Sequence, residues 1–203
     1  GPALAKPVLF LAGIRLQTIN HGFNVDQPVI YTINHSSTLD LFTMIALGIP
    51  RIRFVAKWEL QYFPFFFVIG RLTGQVFIKR KDSSHSVSTI QKAYQRIKAK
   101  GLSLMIAPEG SRKHEGVIGP FKKGAFRAAI DLNYPIVPIY FDGSYRLSQG
   151  GSSITRPGTV TAHIHQPVDT SEWSKEHIQD HIREVRKMYV AWAGVTEDIP
   201  ISE

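Results

Sequence analysis

A histidine and an aspartate five positions apart, His35 and Asp40, are the residues of this sequence best suited to acid–base chemistry. If His35 lies in a loop and Asp40 in the first turn of the following helix, the carboxylate can hold one imidazole nitrogen. The other nitrogen is then free to act as a general base. The same spacing has a second interpretation, because Ser37 and Asp40 fit the S-x-x-D pattern of a helix capping box. On spacing alone, a cap is the commoner occurrence.

Two further polar clusters follow strand-like runs. The basic residues 79–81 follow Val76–Ile78 and could bind phosphate, or could simply be solvated at a strand end. Residues 108–113 follow the apolar run 104–107 and include Gly110, which lets a ligand approach the backbone closely. Backbone N–H groups near Gly110 could bind an anion, although this segment also fits an ordinary turn.

Strand-like and helix-like segments alternate along the chain. Runs of β-branched and aromatic residues predict strands at residues 14–18, 29–33, 52–56, 75–79, 102–107, 136–141 and 159–165. Helical spacing predicts helices at residues 38–47, 59–69, 86–100, 122–132 and 175–192, and the Gly- and Ser-rich segment 142–157 predicts a loop. The alternation predicts an α/β layered domain with a largely parallel central sheet flanked by helices. Such a sheet would bring all three polar clusters to one edge, at the carboxyl ends of its strands.

Composition narrows the possible functions. The chain has 203 residues, a formal net charge of +8 and no cysteine, and its length fits a single domain over residues 1–203. The basic balance points to an anionic partner such as nucleic acid, a membrane surface or a phosphorylated metabolite. The lack of cysteine excludes disulfides, iron–sulfur clusters and a cysteine nucleophile. The pairs His163/His165 and His177/His181 could ligate a metal, but surface histidines are the better explanation.

Membrane contact is suggested by two apolar segments. No run approaches the ~18 apolar residues that a membrane-spanning helix needs. The chain opens with Gly1 and Pro2, which is typical of a cleaved tag, so residues 1–12 are a candidate stub of an N-terminal membrane-associating segment or a docked terminus. The aromatic residues 62–69 fit either a lipid-contacting or acyl-lining surface, or a buried core element.

Four sequence blocks resemble those of a known family. They are NHSSTLD at residues 34–40, GQVFIKR at 74–80, APEGSR at 107–112 and PIVPIY at 135–140. Their order and spacing are similar to those of the glycerolipid acyltransferases, most of all the type that acts on 1-acyl-glycerol-3-phosphate (lysophosphatidic acid). The resemblance favours the catalytic interpretation of His35 and Asp40 over the capping box.

The resemblance also implies a role for each block. His35 would be the catalytic base, and Asp40 would orient its ring. Contacts with the acceptor, chiefly at its phosphate, are implied for Gly74, Phe77, Lys79, Arg80, Glu109, Gly110, Ser111 and Arg112. Ser111 stands where many family members have threonine, and it keeps the hydroxyl. Pro138 is linked to binding of the acyl donor or to packing.

The implied reaction is the transfer of a fatty acyl group from acyl-CoA or acyl carrier protein to the free hydroxyl of 1-acyl-glycerol-3-phosphate. The product would be phosphatidic acid, made for phospholipid synthesis, with no cofactor or metal beyond the acyl donor. The expected partners are the lysophospholipid, the acyl thioester and anionic lipids on the cytoplasmic face of a membrane, and no nucleic acid. Two alternatives stay open. One is an acyltransferase for another acceptor, namely glycerol-3-phosphate, another lysophospholipid or a lyso-aminolipid. The other is a non-catalytic, basic lipid-binding module.

Overall fold

A computed structural model describes residues 2–57, 59, 62, 70, 74–78, 83–111, 118–149, 152 and 154–194. The helices in these residues are α1 (Pro2–Leu11), α2 (Leu39–Ala46), α3 (Ser83–Ala99), α4 (Gly124–Leu132), α5 (Ser144–Leu147) and α6 (Ile178–Ala193). The strands are β1 (Ile14–Asn20), β2 (Ile30–Ile33), β3 (Ile52–Lys57), β4 (Val76–Ile78), β5 (Ser103–Ile106), β6 (Ile136–Asp142) and β7 (Gly158–Ile164).

The seven strands form one sheet in the order β1-β7-β6-β2-β5-β3-β4. Neighbouring strands are parallel except β6 and β7, which are antiparallel. The predicted α/β fold with a largely parallel sheet is therefore confirmed. Because β7 reverses direction and β1 follows it, both of these strands begin at the edge where the other five end.

Helices cover both faces of the sheet. Phe126 of α4 and Tyr189 of α6 belong to the apolar core on one face, together with part of α3. Leu9 of α1 and Met44 of α2 belong to the core on the other face. Strand β2 is buried along its whole length because it lies between β5 and β6 with helices on both sides. The chain that leaves β2 therefore starts from a rigid position.

One prediction of local structure differs from the fold, and another lies mostly outside the described residues. Residues 144–147 form the short helix α5 inside the predicted loop 142–157, because a single turn is too short to show a periodic pattern. Gly143 precedes α5 with φ of +88°, and a Cβ at this position would lie 2.8 Å from the carbonyl oxygen of Thr159. Most of the predicted helix 59–69, and Lys79 at the end of a predicted strand, lie outside the described residues.

The first residues form a docked helix. In α1, Ala5 and Leu9 are buried and belong to the same apolar core as α2. Leu4, Phe10 and Leu11 point outward and are 66%, 80% and 84% exposed. Across the described ranges, no helix is both long and apolar enough to span a bilayer. The suggested membrane contact of residues 1–12 stays a prediction.

Candidate active site

The segment between β2 and α2 carries the predicted catalytic pair, and Asn34 fixes how this segment leaves the sheet. The Asn34 side-chain amide donates to the carbonyl of Phe141 at 3.0 Å and accepts from the N–H of Phe141 at 2.7 Å. This pair of bonds extends the β2–β6 pairing by one position beyond the Ile33–Ile139 pair. The backbone of the next residue, His35, therefore starts from a defined place at the carboxyl edge of the sheet.

His35 and Asp40 meet as predicted. The imidazole Nδ1 of His35 lies 3.1 Å from Oδ2 of Asp40, with the aspartate fully buried and the histidine side chain 25% exposed. An ionised carboxylate can only accept, so Nδ1 carries the proton and Nε2 carries a lone pair. In this arrangement Nε2 can accept a proton and so can act as a general base.

The same aspartate also organises the start of α2. Oδ2 of Asp40 accepts the backbone N–H groups of Ser36 at 2.9 Å and Ser37 at 2.8 Å. The hydroxyl of Ser37 accepts the N–H of Leu39, two residues ahead, at 3.1 Å. The return half of the predicted capping box is thus present, while the forward half reaches a different residue. The two interpretations of Asp40 are both satisfied by one oxygen atom.

Glu109 joins the His35 backbone to a second loop. Its Oε1 accepts the N–H of His35 at 2.8 Å, and its Oε2 accepts the N–H of Gly119 at 3.1 Å. The side chain is 2% exposed. Burial raises the pKa of the Glu109 carboxyl to about 7, with a smaller contribution from the charge of Asp40; the two N–H bonds and the Arg186 charge oppose this rise.

The turn after β5 has the sharp geometry that its glycine predicts. Gly110 has φ of +67°, a conformation that side chains disfavour, and its N–H donates to the carbonyl of Ala107 at 3.1 Å. The Gly110 N–H, which was a candidate for binding an anion, thus already makes a hydrogen bond within the turn. Ser111 is half-buried, and Arg112, which is also implied to contact the acceptor, lies outside the described residues.

The remaining predicted residues are dispersed along the sheet. Phe77 lies on β4, where its ring leaves no room for a Cβ at Gly70, and exposed Gly74 precedes the strand with φ of +67°. Strand β4 is three positions from β2, which is roughly 14 Å at the usual strand spacing. Pro138 is buried within β6, paired in register with Thr32. Lys79 and Arg80 lie outside the described residues.

Two residues of α6 support the site, and the sequence analysis did not single them out as such. Arg186 donates from Nε to the carbonyl of Gly119 at 3.1 Å and from Nη2 to that of Ile118 at 2.9 Å. Tyr189 donates its hydroxyl hydrogen to the carbonyl of Thr32 at 2.8 Å. Arg186 lies four residues after Ile182 and three before Tyr189, so helical spacing places it on the buried side of α6, but this spacing does not identify the distant carbonyls.

The histidine pairs are more buried than predicted. His163 hydrogen bonds to His21 at 3.0 Å, and the ring of His165 stacks on Trp192 with centroids 3.6 Å apart. Burial lowers the pKa of His165 to about 4, with smaller contributions from His21 and His163. His181 stacks on Trp173, with centroids 4.4 Å apart, while His177 is exposed. His163, His165 and His181 are thus half-buried residues at the surface, packed against other aromatic rings.

Comparisons with known proteins agree with this geometry. The family model for Acyltransferase matches residues 15–142. A 1-acyl-sn-glycerol-3-phosphate acyltransferase from Limnanthes alba is 30% identical over 94% of this chain and 67% of its own length. A protein of the same name from Haemophilus influenzae is 31% identical over 80% of this chain and 68% of its own length.

A solved structure has the same fold. The crystal structure of the 1-acyl-sn-glycerophosphate (LPA) acyltransferase PlsC from Thermotoga maritima superposes with a TM-score of 0.78 at 24% identity. The match covers 98% of this chain and 80% of the Thermotoga chain. Taken with the family match and the contact between His35 and Asp40 at the carboxyl edge of the sheet, these findings show that the chain belongs to the acyltransferase family of enzymes.

Proposed function

We propose that this acyltransferase transfers a fatty acyl group from a thioester donor to the free hydroxyl of 1-acyl-glycerol-3-phosphate, giving phosphatidic acid. The observation that carries the proposal is the His35–Asp40 contact, in which Nδ1 of His35 lies 3.1 Å from Oδ2 of Asp40. The names of the relatives from Limnanthes alba and Haemophilus influenzae support this acceptor. Either acyl-CoA or acyl carrier protein could present the thioester.

In the proposed reaction, His35 Nε2 removes the proton from the acceptor hydroxyl as its oxygen attacks the thioester carbonyl. The resulting imidazolium is stabilised by the Asp40 carboxylate. When the tetrahedral intermediate collapses, the carbon–sulfur bond breaks and the thiolate takes the proton back from His35. A general base of this kind contributes roughly 10²- to 10⁴-fold to the rate. The transfer as proposed needs no cofactor and no metal beyond its two substrates.

The proposed phosphate contacts come from two segments. Arg112 follows β5, the direct neighbour of β2, and is therefore the arginine with the shorter path to a phosphate on the attacked glycerol. Arg80 and Lys79 follow β4 in the chain, and β4 is two positions from β5 in the sheet, which is about 10 Å at the usual strand spacing. Ser111 and Gly110 would line the acceptor between them. Gly74 and Phe77 would shape its outer wall, and Pro138 would support the acyl-donor side.

Thiol release tests this function directly. Palmitoyl-CoA is incubated with and without 1-acyl-glycerol-3-phosphate, using wild type, His35→Ala and the exposed-histidine control His177→Ala. We expect acceptor-dependent release in wild type and His177→Ala, and a loss of at least about 100-fold in His35→Ala with an unchanged circular dichroism spectrum. Equal release in all three proteins would remove His35 from the proposed role.

The choice of substrates separates the alternatives. Glycerol-3-phosphate and a lysophospholipid without a terminal phosphate are tested as acceptors, and palmitoyl-acyl carrier protein as donor. Faster turnover with another acceptor would replace 1-acyl-glycerol-3-phosphate in the proposal. Vesicle binding without turnover for any donor and acceptor would support a non-catalytic lipid-binding module.

We further propose that the enzyme works at the cytoplasmic face of an anionic membrane, with α1 as its contact. Leu4, Phe10 and Leu11 project apolar side chains from this helix, and the net charge of +8 favours anionic lipids. Because β1 runs against β2 and β6, the end of α1 leads into the sheet at the edge where His35 lies. Lipid bound there would be near the catalytic pair.

Vesicle sedimentation tests the membrane proposal. Phe10→Ser combined with Leu11→Ser should reduce binding to vesicles that contain phosphatidylglycerol, whereas Ile19→Ser should not. Ile19 is a matched control because it is an exposed apolar residue, 44% accessible, near the far end of β1. Equal binding by all three proteins would exclude α1 as the contact.

A further inference from the structure

Glu109 has both carboxylate oxygens occupied by the protein's own backbone. Oε1 accepts the N–H of His35 at 2.8 Å and Oε2 accepts the N–H of Gly119 at 3.1 Å, and the residue is 2% exposed. Each oxygen could accept a second hydrogen bond, but the burial of the side chain leaves almost no surface at which a substrate could reach it. The geometry therefore favours a role that acts through the backbone of His35.

Arg186 contacts Gly119 and Ile118 through their carbonyl oxygens. Its guanidinium donates to the carbonyls of Gly119 at 3.1 Å and Ile118 at 2.9 Å, and the side chain is 8% exposed. The peptide unit between Ile118 and Gly119 is thus bonded through its N–H to Glu109 and through its carbonyl to Arg186. This gives a continuous connection from α6, through residues 118–119, to the backbone of His35.

We propose that Glu109 and Arg186 are a pair of positioning residues that fix the main chain of the catalytic His35. The inference rests on the proposed function, because it assumes that His35 is the base. Asp40 holds the imidazole ring, and Glu109 holds the peptide nitrogen of the same residue. When Glu109 is ionised, its charge and that of Asp40 repel each other within the buried site, and the Arg186 charge offsets this repulsion.

The proposal gives Glu109 a kinetic signature that differs from acceptor binding. Substitution of a residue that positions the base lowers kcat and leaves the acceptor KM nearly unchanged. A residue that binds the acceptor raises its KM. In Glu109→Gln one amide oxygen can still accept an N–H, while the amide NH₂ faces the other donor, so one of the two bonds is lost.

Kinetics of Glu109→Gln, Arg186→Lys and the double variant test the pair, with Arg183→Lys as matched control. Arg183 is on the same helix but is 61% exposed and pairs with Asp180. We expect each single variant to lower kcat by roughly 10- to 100-fold with the acceptor KM changed by less than about threefold. The kcat of the double variant should be close to that of the less active single variant, because both residues act through Gly119. Arg183→Lys should match wild type.

Amide hydrogen exchange of the free protein provides a readout that does not depend on turnover. A peptide covering residues 34–40 should exchange faster in Glu109→Gln and in Arg186→Lys than in wild type or Arg183→Lys. If Glu109→Gln does not fold, the proposal is tested with Arg186→Lys, which keeps the positive charge at this position and is expected to fold. If the variants show this exchange pattern but the wild-type protein transfers no acyl group, the result contradicts the proposed function and leaves the pairing of Glu109 and Arg186 supported.

Two results would overturn the pairing. One is a raised acceptor KM with unchanged kcat in Glu109→Gln, which would place Glu109 on the substrate. The other is unchanged exchange of residues 34–40 in folded Arg186→Lys, together with losses in kcat that multiply in the double variant. That outcome would mean that the two residues act independently of each other.

Discussion

Asp40→Asn separates the two roles of Asp40, because it removes the charge and can keep the backbone bonds. If the asparagine carbonyl takes the place of Oδ2, it still accepts the N–H groups of Ser36 and Ser37, now bonded at 2.9 Å and 2.8 Å. The neutral amide also still accepts from His35 Nδ1. The missing contribution is the stabilisation of the imidazolium that forms as His35 takes the substrate proton.

The size of this loss follows from the separation of the charges. Oδ2 lies 3.1 Å from Nδ1, in a site where Asp40 is fully buried and His35 is 25% exposed. Two unit charges about 4 Å apart in an effective dielectric constant of about 20 interact by about 4 kcal/mol. This energy corresponds to roughly 10³-fold in rate, so we expect kcat to fall by about 10²- to 10³-fold.

The assay is acceptor-dependent thiol release, measured beside thermal unfolding for wild type, Asp40→Asn and Asp40→Ala. Asp40→Ala removes the backbone bonds too, so it should lose about 1–2 kcal/mol more stability than Asp40→Asn. The reasoning is refuted if Asp40→Asn keeps activity within about fivefold of wild type while it loses as much stability as Asp40→Ala. Asp40 would then serve only as a helix cap.

Three further predictions concern the supports of the site. Asn34→Ala removes both bonds to the Phe141 backbone and should lower the free energy of unfolding by about 2 kcal/mol in urea denaturation. Tyr189→Phe leaves the hydroxyl of Thr32 without its 2.9 Å partner and should cost about 1–3 kcal/mol, measured in the same way. Folding raises the pKa of Glu109 from 4.5 to about 7, so the folded protein retains a proton that the unfolded chain releases, and the contribution of this carboxyl to stability falls as pH rises through this window, opposite in sign to the contribution of His165. Glu109→Gln should abolish this dependence of about 3 kcal/mol, as unfolding at pH 4.5, 6 and 8 would reveal; an equal pH dependence in both proteins would contradict the assignment.

The fold could be predicted largely because its signals are local. The apolar run before Asn34 predicted a buried strand, and β2 is buried along its whole length. Spacing also predicted that His35 and Asp40 could meet across a loop-to-helix boundary. Spacing alone could not decide between a catalytic pair and a helix cap, and the two roles were weighed as alternatives. One carboxylate oxygen performs both, and only coordinates reveal that.

The supports of the site could not be predicted, since they join residues far apart in sequence. Glu109 and His35 are separated by 74 positions, and Arg186 and Gly119 by 67. The rule that a charged residue on an apolar helix face needs a partner applies to Arg186, but it does not say which partner. The stacking of His165 on Trp192 could not be predicted for the same reason, because Trp192 comes from a distant helix.

The position of α6 has a consequence for how the enzyme is made. Protein synthesis runs from the amino terminus, so His35, Asp40 and Glu109 leave the ribosome well before α6. Contacts of Arg186 with residues 118–119 and of Tyr189 with Thr32 form only after α6 has emerged. A nascent chain that stops before residue 178 therefore carries the reactive histidine without the helix that holds its surroundings. On the proposed role of Arg186, acyl transfer reaches its full rate only after α6 has been synthesised and has packed against the sheet.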